Sequence, residues 1–202
     1  NHGLKVFTNP STANIKQGLF AAVLKECSPL GKIDYDIAVL EWDEGHGAAL
    51  AGDLEISLAV LTNVLSDQLD RFVDPEFVTE KLAAIAARSK KLVLNADDKN
   101  LAQLSHQLKS STGFGLNEEL LKSAEAPSYA LNFGDHPEIE RRVRVTRSEG
   151  LRVQLGDWEF PTPVDSPALA LNYAAALAAA NELTELDKAK VTAQFAEQTG
   201  VF

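Results

Sequence analysis

Three short stretches of this sequence place carboxylates and carboxamides where an apolar run stops. Glu41-Trp42-Asp43-Glu44 follows Ile37-Ala38-Val39-Leu40, Thr62-Asn63 with Asp67 and Asp70 follows Leu58-Ala59-Val60-Leu61, and Asn95-Ala96-Asp97-Asp98 follows Leu92-Val93-Leu94. Their oxygens are hard donors of the kind that hold Mg2+. A crest this rich in carboxylates repels bare phosphate, so a nucleotide bound there requires Mg2+ to bridge the charges. Each cluster taken alone also reads as loop punctuation and helix capping, where Asp and Asn are common. Three clusters on successive runs tilt the balance toward a site.

The elements that must position these clusters follow from the apolar pattern. The three runs are continuous rather than alternating, as in strands covered on both faces. Between them lie helical patterns: Asp74-Pro75 reads as an N-cap with proline at the first helical position, and Phe77, Val78, Leu82, Ile85 and Ala86 recur at helical spacing to about Ser89. Leu4–Phe7 reads as a further strand, followed by a loop and a helix over Ile15–Lys25. Strands alternating with helices imply right-handed crossovers, hence an α/β fold with a mostly parallel sheet flanked by helices. Ligands of such sheets bind outside the carboxyl ends of the strands, where the three clusters fall. From Leu131 the texture shortens and alternates, with Glu149-Gly150 and Gly156-Asp157 as turns between Arg142–Thr146, Leu151–Leu155 and Trp158–Phe160. These are expected to form a small antiparallel extension. Ser166-Pro167 repeats the cap-plus-proline signature before an alanine-rich helix, and Thr184-Glu185-Leu186-Asp187 resembles a capping box for a last helix ending near Gly200.

Composition narrows the partners. The chain has 202 residues, read as a single domain, and a formal charge of −10 from 29 acidic and 19 basic residues, which disfavours a nucleic-acid partner. The run Arg141-Arg142-Val143-Arg144 reads as a solvated strand face. A single cysteine, Cys27, excludes a disulfide framework and fits a reducing cytoplasm. There is no targeting signal, and the longest uncharged apolar run, Ser166–Asn181, is too short to cross a bilayer, so no membrane insertion is expected. His2, His46, His106 and His136 are dispersed without ligand spacing, and no Gly-X-Ser-X-Gly motif occurs, so covalent catalysis has no support.

The same clusters carry a family resemblance. Ala38-Val39-Leu40-Glu41-Trp42-Asp43-Glu44 resembles the Mur ligase strand that ends in a metal-binding glutamate. The stretch from Leu61 to Phe72, Thr62-Asn63 through Asp67-Gln68-Leu69-Asp70-Arg71, is similar to the family's Thr-Asn…Asp-His-Leu-Asp-Arg-Tyr segment, and Asn95-Ala96-Asp97-Asp98 to its Asn-Ala-Asp-Asp signature. Gln68, in place of the usual histidine, resembles the isoglutaminyl synthase (MurT-like) branch, which amidates lipid II with ammonia from a glutaminase subunit. The resemblance implies the middle, ATP-binding domain of a Mur ligase, P-loop NTPase-like in fold, acting with ATP and Mg2+ on a peptidoglycan precursor in the cytoplasm. It implies Glu41 and Gln68 at the metal, and Asn95, Asp97, Asp98 and Asn172 at the nucleotide. Lys81 falls near where several Mur ligases carry a carbamoylated lysine, although an exposed helix lysine is the plainer reading. Asn9 and Asn14, in Thr8–Asn14, fall in a loop resembling the family's substrate-side loop; a turn and cap before Ile15 explains them equally well. Phe133-Gly134 resembles a family turn.

The departures from the pattern matter as much. No Gly-Lys-Thr phosphate loop occurs within the 202 residues, and of the family's Gly-X-His/Tyr-Asn-X-X-Asn signature, falling on Ser166–Asn172, only the last asparagine survives. A cysteine-ligated zinc ribbon is missing. The chain is accordingly expected to lack both the phosphate loop and the C-terminal ligase domain, and to be inactive alone. The alternatives are a degenerate, non-catalytic Mur-like binding module, or a relative of the folylpolyglutamate synthetases.

Overall fold

The computed structural model describes residues 3–10, 14–64, 75–104, 111–128, 130 and 139–198. The chain divides into two compact units, 1–55 and 56–202. In the first, β1 (Val6–Thr8) pairs in parallel with β2 (Ile37–Val39), with α1 (Lys16–Glu26) and α2 (Glu44–Leu50) beside them in sequence. Its core is small: Phe7, Leu19 and Leu50 are buried, with Ala22, Val23, Leu40 and Trp42 packed against them.

The second unit is built on a six-stranded sheet in the order β3 (Ile56–Leu61), β4 (Ser89–Asn95), β5 (Ser111–Leu116), β6 (Arg141–Arg147), β7 (Leu151–Leu155), β8 (Trp158–Pro161). β3 to β6 run parallel; β7 and β8 return antiparallel. The mostly parallel sheet with an antiparallel extension is thus the architecture expected from the continuous and alternating runs. α3 (Pro75–Arg88), α4 (Lys99–Leu104) and α5 (Glu118–Leu121) lie in the connections, and α6 (Pro167–Leu183) and α7 (Lys188–Glu197) follow the sheet. Ala170, Ala174, Ala175 and Ala178 of α6 bury at little side-chain entropy cost, and with Val93, Phe114, Val143, Val145, Val153 and Phe160 they form one continuous core. Gly156 takes φ +56 between the paired Leu155 and Trp158, as a two-residue hairpin loop of this hand requires.

Two local expectations shift. α7 is capped by Asp187, whose carboxylate accepts from the Ala189 and Lys190 amides, rather than by Thr184. Thr184 instead closes α6, its own N–H donating to the Ala180 carbonyl. Ser166 sits at the N-cap of α6 without a side-chain capping bond, so Pro167 carries that start. Asp74, Phe133-Gly134 and Gly200, near which the last helix is expected to end, lie outside the described residues.

Candidate functional site

The crest of the second unit forms where two parallel strands end together. Leu61 of β3 pairs with Leu94 of β4, so Thr62-Asn63-Val64 leave the sheet beside Asn95. Asn95 is buried, and its Oδ1 accepts from the Asp97 amide at 3.0 Å. That bond fixes which end of the carboxamide is oxygen. The Asn95 Nδ2 is left buried with no partner among the described residues.

The neighbouring carboxylates are spent. Asp97, fully buried, takes the Arg141 guanidinium on Oδ1 at 2.7 Å and the Leu116 amide on Oδ2 at 2.6 Å, tying the end of β4 to β5 and β6. Asp98, equally buried, accepts from the Val64 amide at 2.7 Å, and from Asn100 and Leu101 at 2.9 and 3.2 Å, capping α4 and anchoring the exit of β3. Burial pushes both carboxyls above the usual range, against the opposing pull of Arg141 and the Leu116 amide on Asp97, and of the three amides on Asp98. Within this cluster Asn95, rather than either aspartate, has hydrogen-bonding capacity left over.

In the first unit the arrangement is reversed. The backbone of Glu41 is fastened: its N–H donates to Asn9 Oδ1 and its carbonyl accepts from Asn9 Nδ2, both at 2.9 Å. Its side chain is exposed, and among the described residues its carboxylate has no hydrogen-bond or ion-pair partner. Asp43 accepts from the Gly45 and His46 amides to cap α2, and its N–H donates to the Asn14 carbonyl at 3.0 Å. Asn9 and Asn14, expected in a substrate-side loop, thus both bond to the segment that carries Glu41.

Gln68 lies outside the described residues, as do Asp67, Asp70, His106 and His136. Lys81 sits mid-way along α3 with its ammonium 4.8 Å from the centre of the Phe77 ring. Asn172 is half-buried on α6. Among the described residues no three His, Cys, Asp or Glu side chains gather to hold a metal ion. Mg2+ carried by nucleotide phosphates keeps several waters and takes only one or two protein carboxylates. Glu41 meets that need, so the donors among the described residues fit an ion shared with a nucleotide.

Two participants escaped the sequence reading. Arg141, read as part of a solvated strand face, turns to the buried Asp97, while Arg142 and Arg144 stay exposed. Gly115 faces the same carboxylate so closely that a Cβ there would stand 2.6 Å from Asp97 Oδ1. The arginine density from Arg141 to Arg152, five of the chain's seven, was the available signal for the first; nothing local marked the second.

The profile of the family described as Mur ligase middle domain matches residues 21–180. The lipid II isoglutaminyl synthase (glutamine-hydrolyzing) subunit MurT of Staphylococcus aureus is 32% identical over 104 residues, covering 51% of this chain and 23% of that protein. Among solved structures, MurF from Acinetobacter baumannii superposes with a TM-score of 0.74 at 13% identity, over 99% of this chain and 41% of that one. A bifunctional folylpolyglutamate synthase/dihydrofolate synthase, solved with Mn, AMPPNP and L-glutamate bound, superposes at 0.53 with 15% identity, over 89% of this chain and 38% of that one. The chain therefore spans under half the length of these proteins, and at such identities the structural likeness concerns the fold. Among the described residues no helix is long and apolar enough to cross a membrane.

Proposed function

This chain belongs to the Mur ligase middle-domain family, and from that premise we propose that it is the nucleotide-binding part of an ATP-dependent amide ligase acting on a peptidoglycan precursor. The reaction is the amidation named for its staphylococcal relative. A carboxylate oxygen of the precursor attacks the γ-phosphorus of ATP, ADP leaves, and an acyl phosphate forms. Ammonia, supplied by a glutaminase subunit, attacks the acyl carbon; inorganic phosphate leaves, the nitrogen sheds a proton, and the amide remains. No covalent link to the protein is needed, so the protein contributes positioning and charge neutralisation. Its dependence on ATP makes the cytoplasm the setting.

The observation that carries this reading is the unpaired Asn95 Nδ2 at the carboxyl end of β4. A buried donor without a partner costs about 1–3 kcal/mol, which an acceptor on the base or ribose would recover where ligands of open α/β sheets bind. The Glu41 carboxylate would be offered to Mg2+, which when bound would neutralise phosphate charge; Gln68, outside the described residues, is the further candidate ligand. Lys81 and Asn172 are assigned supporting roles toward the metal and the adenine. A second reading, a non-catalytic Mur-like binding module, draws on the internal use of Asp97 and Asp98, whose oxygens all have protein partners.

Calorimetry of the 202-residue chain with ATP, with Mg2+ and with EDTA, tests the proposal. Binding is expected to be weak, lost in EDTA, and reduced about tenfold in Asn95→Ala, the worth of one well-made hydrogen bond. Low-micromolar affinity that ignores both the metal and Asn95→Ala sinks the reading of this site, and no ATP binding at all favours the non-catalytic module.

A further inference from the structure

We propose that Asn9 is a positioning residue: its side-chain carboxamide holds the Glu41 backbone so that the Glu41 carboxylate is preset for a divalent cation. This rests on the metal reading of Glu41 given above and names what would prepare that ligand.

The ladder between β1 and β2 ends at Thr8 paired with Val39. Pro10, which follows Asn9 two positions beyond Thr8, has no N–H to continue it. The Asn9 side chain, 5% exposed, takes over, donating to the Glu41 carbonyl and accepting from the Glu41 amide at 2.9 Å each. A carboxamide reproduces both the donor and the acceptor of a peptide group; an aspartate in its place offers acceptors only.

The next two residues are held as well. Trp42 packs against the core of Phe7, Leu19 and Leu50, and Asp43 is fixed through its side chain at the start of α2 and through its amide on the Asn14 carbonyl. The Glu41 amide and carbonyl and the Asp43 amide are all bonded, yet the one ionisable side chain on the clamped residue has no partner among the described residues and faces solvent. Burying an asparagine to order the backbone under an unused carboxylate gains the fold no contact at that side chain. It does lower the conformational cost of bringing the carboxylate to a ligand. Groups that orient metal ligands in this indirect way change metal affinity about 10–100-fold when removed.

The experiment measures free Mn2+ by electron paramagnetic resonance, titrated into the 202-residue chain with ATP present, alongside hydrogen exchange at the Glu41 amide. Glu41→Gln and Asn9→Ala are each expected to weaken Mn2+ binding at least tenfold, with Asn9→Ala also exposing the Glu41 amide to exchange. In a Glu41→Gln background, Asn9→Ala is expected to have no further effect on Mn2+, which a general loosening of the unit would not produce. Should Asn9→Ala unfold, Asn9→Asp removes the donor alone and is read in the same way. Mn2+ affinity unchanged by either Asn9 variant, while Glu41→Gln weakens it, overturns the positioning role and leaves the metal reading standing. Affinity unchanged in Glu41→Gln, or no Mn2+ binding by the wild-type chain, overturns the metal reading and this inference with it.

Discussion

The two units use the same residue types at strand ends in opposite ways. In residues 56–202, Asp97 and Asp98 are buried and every oxygen is bonded to amides or to Arg141. In residues 1–55, Glu41 has its backbone bonded and its carboxylate in solvent. The packing differs in the same sense. Of the thirteen exposed large hydrophobic residues described, nine, from Leu4 to Leu54, belong to the first unit, whose described core cluster centres on Phe7, Leu19 and Leu50. A carboxylate enclosed by a large core becomes part of the scaffold, whereas one on a small, open unit remains available for chemistry. The two strand-end clusters therefore do different jobs, and substitutions separate them.

The largest effect is expected at Asp97. Removing one partner of a buried ion pair costs about 3–5 kcal/mol, so Asp97→Ala should lower the unfolding temperature by roughly 6–20 °C for a chain of this size. Gly115→Ala places a Cβ within 2.6–2.8 Å of both Asp97 oxygens and should cost about 1–3 kcal/mol as overpacking. The two are coupled: with the Asp97 carboxylate gone, Gly115→Ala should cost much less, and a double-mutant cycle by urea unfolding reads that difference. Additive effects, or a loss below about 1 kcal/mol for Asp97→Ala, would remove Asp97 from the scaffold and break the comparison.

A smaller effect sets Asp97 against Glu182 within the second unit. Burial holds the Asp97 carboxyl above its ordinary value, so the folded state binds the proton more tightly than the unfolded one. The part of its contribution that is linked to its proton is therefore full below the unfolded value near 3.9 and lost as pH rises through the raised one, while the bonds to Arg141 and the Leu116 amide remain. Glu182, at the end of α6, receives the Thr112 hydroxyl at 2.6 Å and lies 3.3 Å from Lys91; the hydroxyl first and then the ammonium hold its carboxyl below the usual range. Its contribution is full above about pH 4.3 and lost as pH falls through the lowered value. Urea unfolding between pH 3 and 6 should show the advantage of wild type over Glu182→Gln growing with pH, and that over Asp97→Asn shrinking. The same sign for both would mean that Arg141 outweighs burial at Asp97.

Much of this frame is legible in the sequence. β4 announces itself as a continuous apolar run because the end of that strand is buried on both faces; β2 and β3 carry runs of the same kind, although β2 is largely exposed in a two-stranded sheet and β3 is only partly buried. β6 to β8 show by alternation with glycine turns. β5 is hidden, since Ser111-Thr112-Gly113-Phe114-Gly115-Leu116 has two glycines in six residues, and what excludes a side chain at Gly115 is a carboxylate eighteen positions away in sequence. α2 is concealed in a similar way by Gly45 and Gly47, its start set by the Asp43 carboxylate rather than by an apolar stripe. The strand-end clusters were visible as clusters. Which of their carboxylates is consumed depends on burial and on distant amides such as Leu116 and Val64, and no local pattern encodes that.

The smallest expected effect is the sharpest test of the comparison. Glu41→Gln removes a charge but neither backbone bond to Asn9, and the side chain it alters is exposed and has no partner among the described residues. Substitutions at such positions change stability by no more than about 0.5 kcal/mol. Unfolding of Glu41→Gln should therefore overlay that of the wild type in both midpoint and slope, while Asp97→Ala shifts the midpoint strongly. Because the clamp is intact in Glu41→Gln, the Glu41 amide should keep its protection from hydrogen exchange, so any loss of Mg2+-dependent ATP binding in this variant would come from the missing charge and not from a loosened segment. A destabilisation above about 1 kcal/mol would show that Glu41, like Asp97, is bound into the scaffold, and the two strand ends would no longer differ in kind.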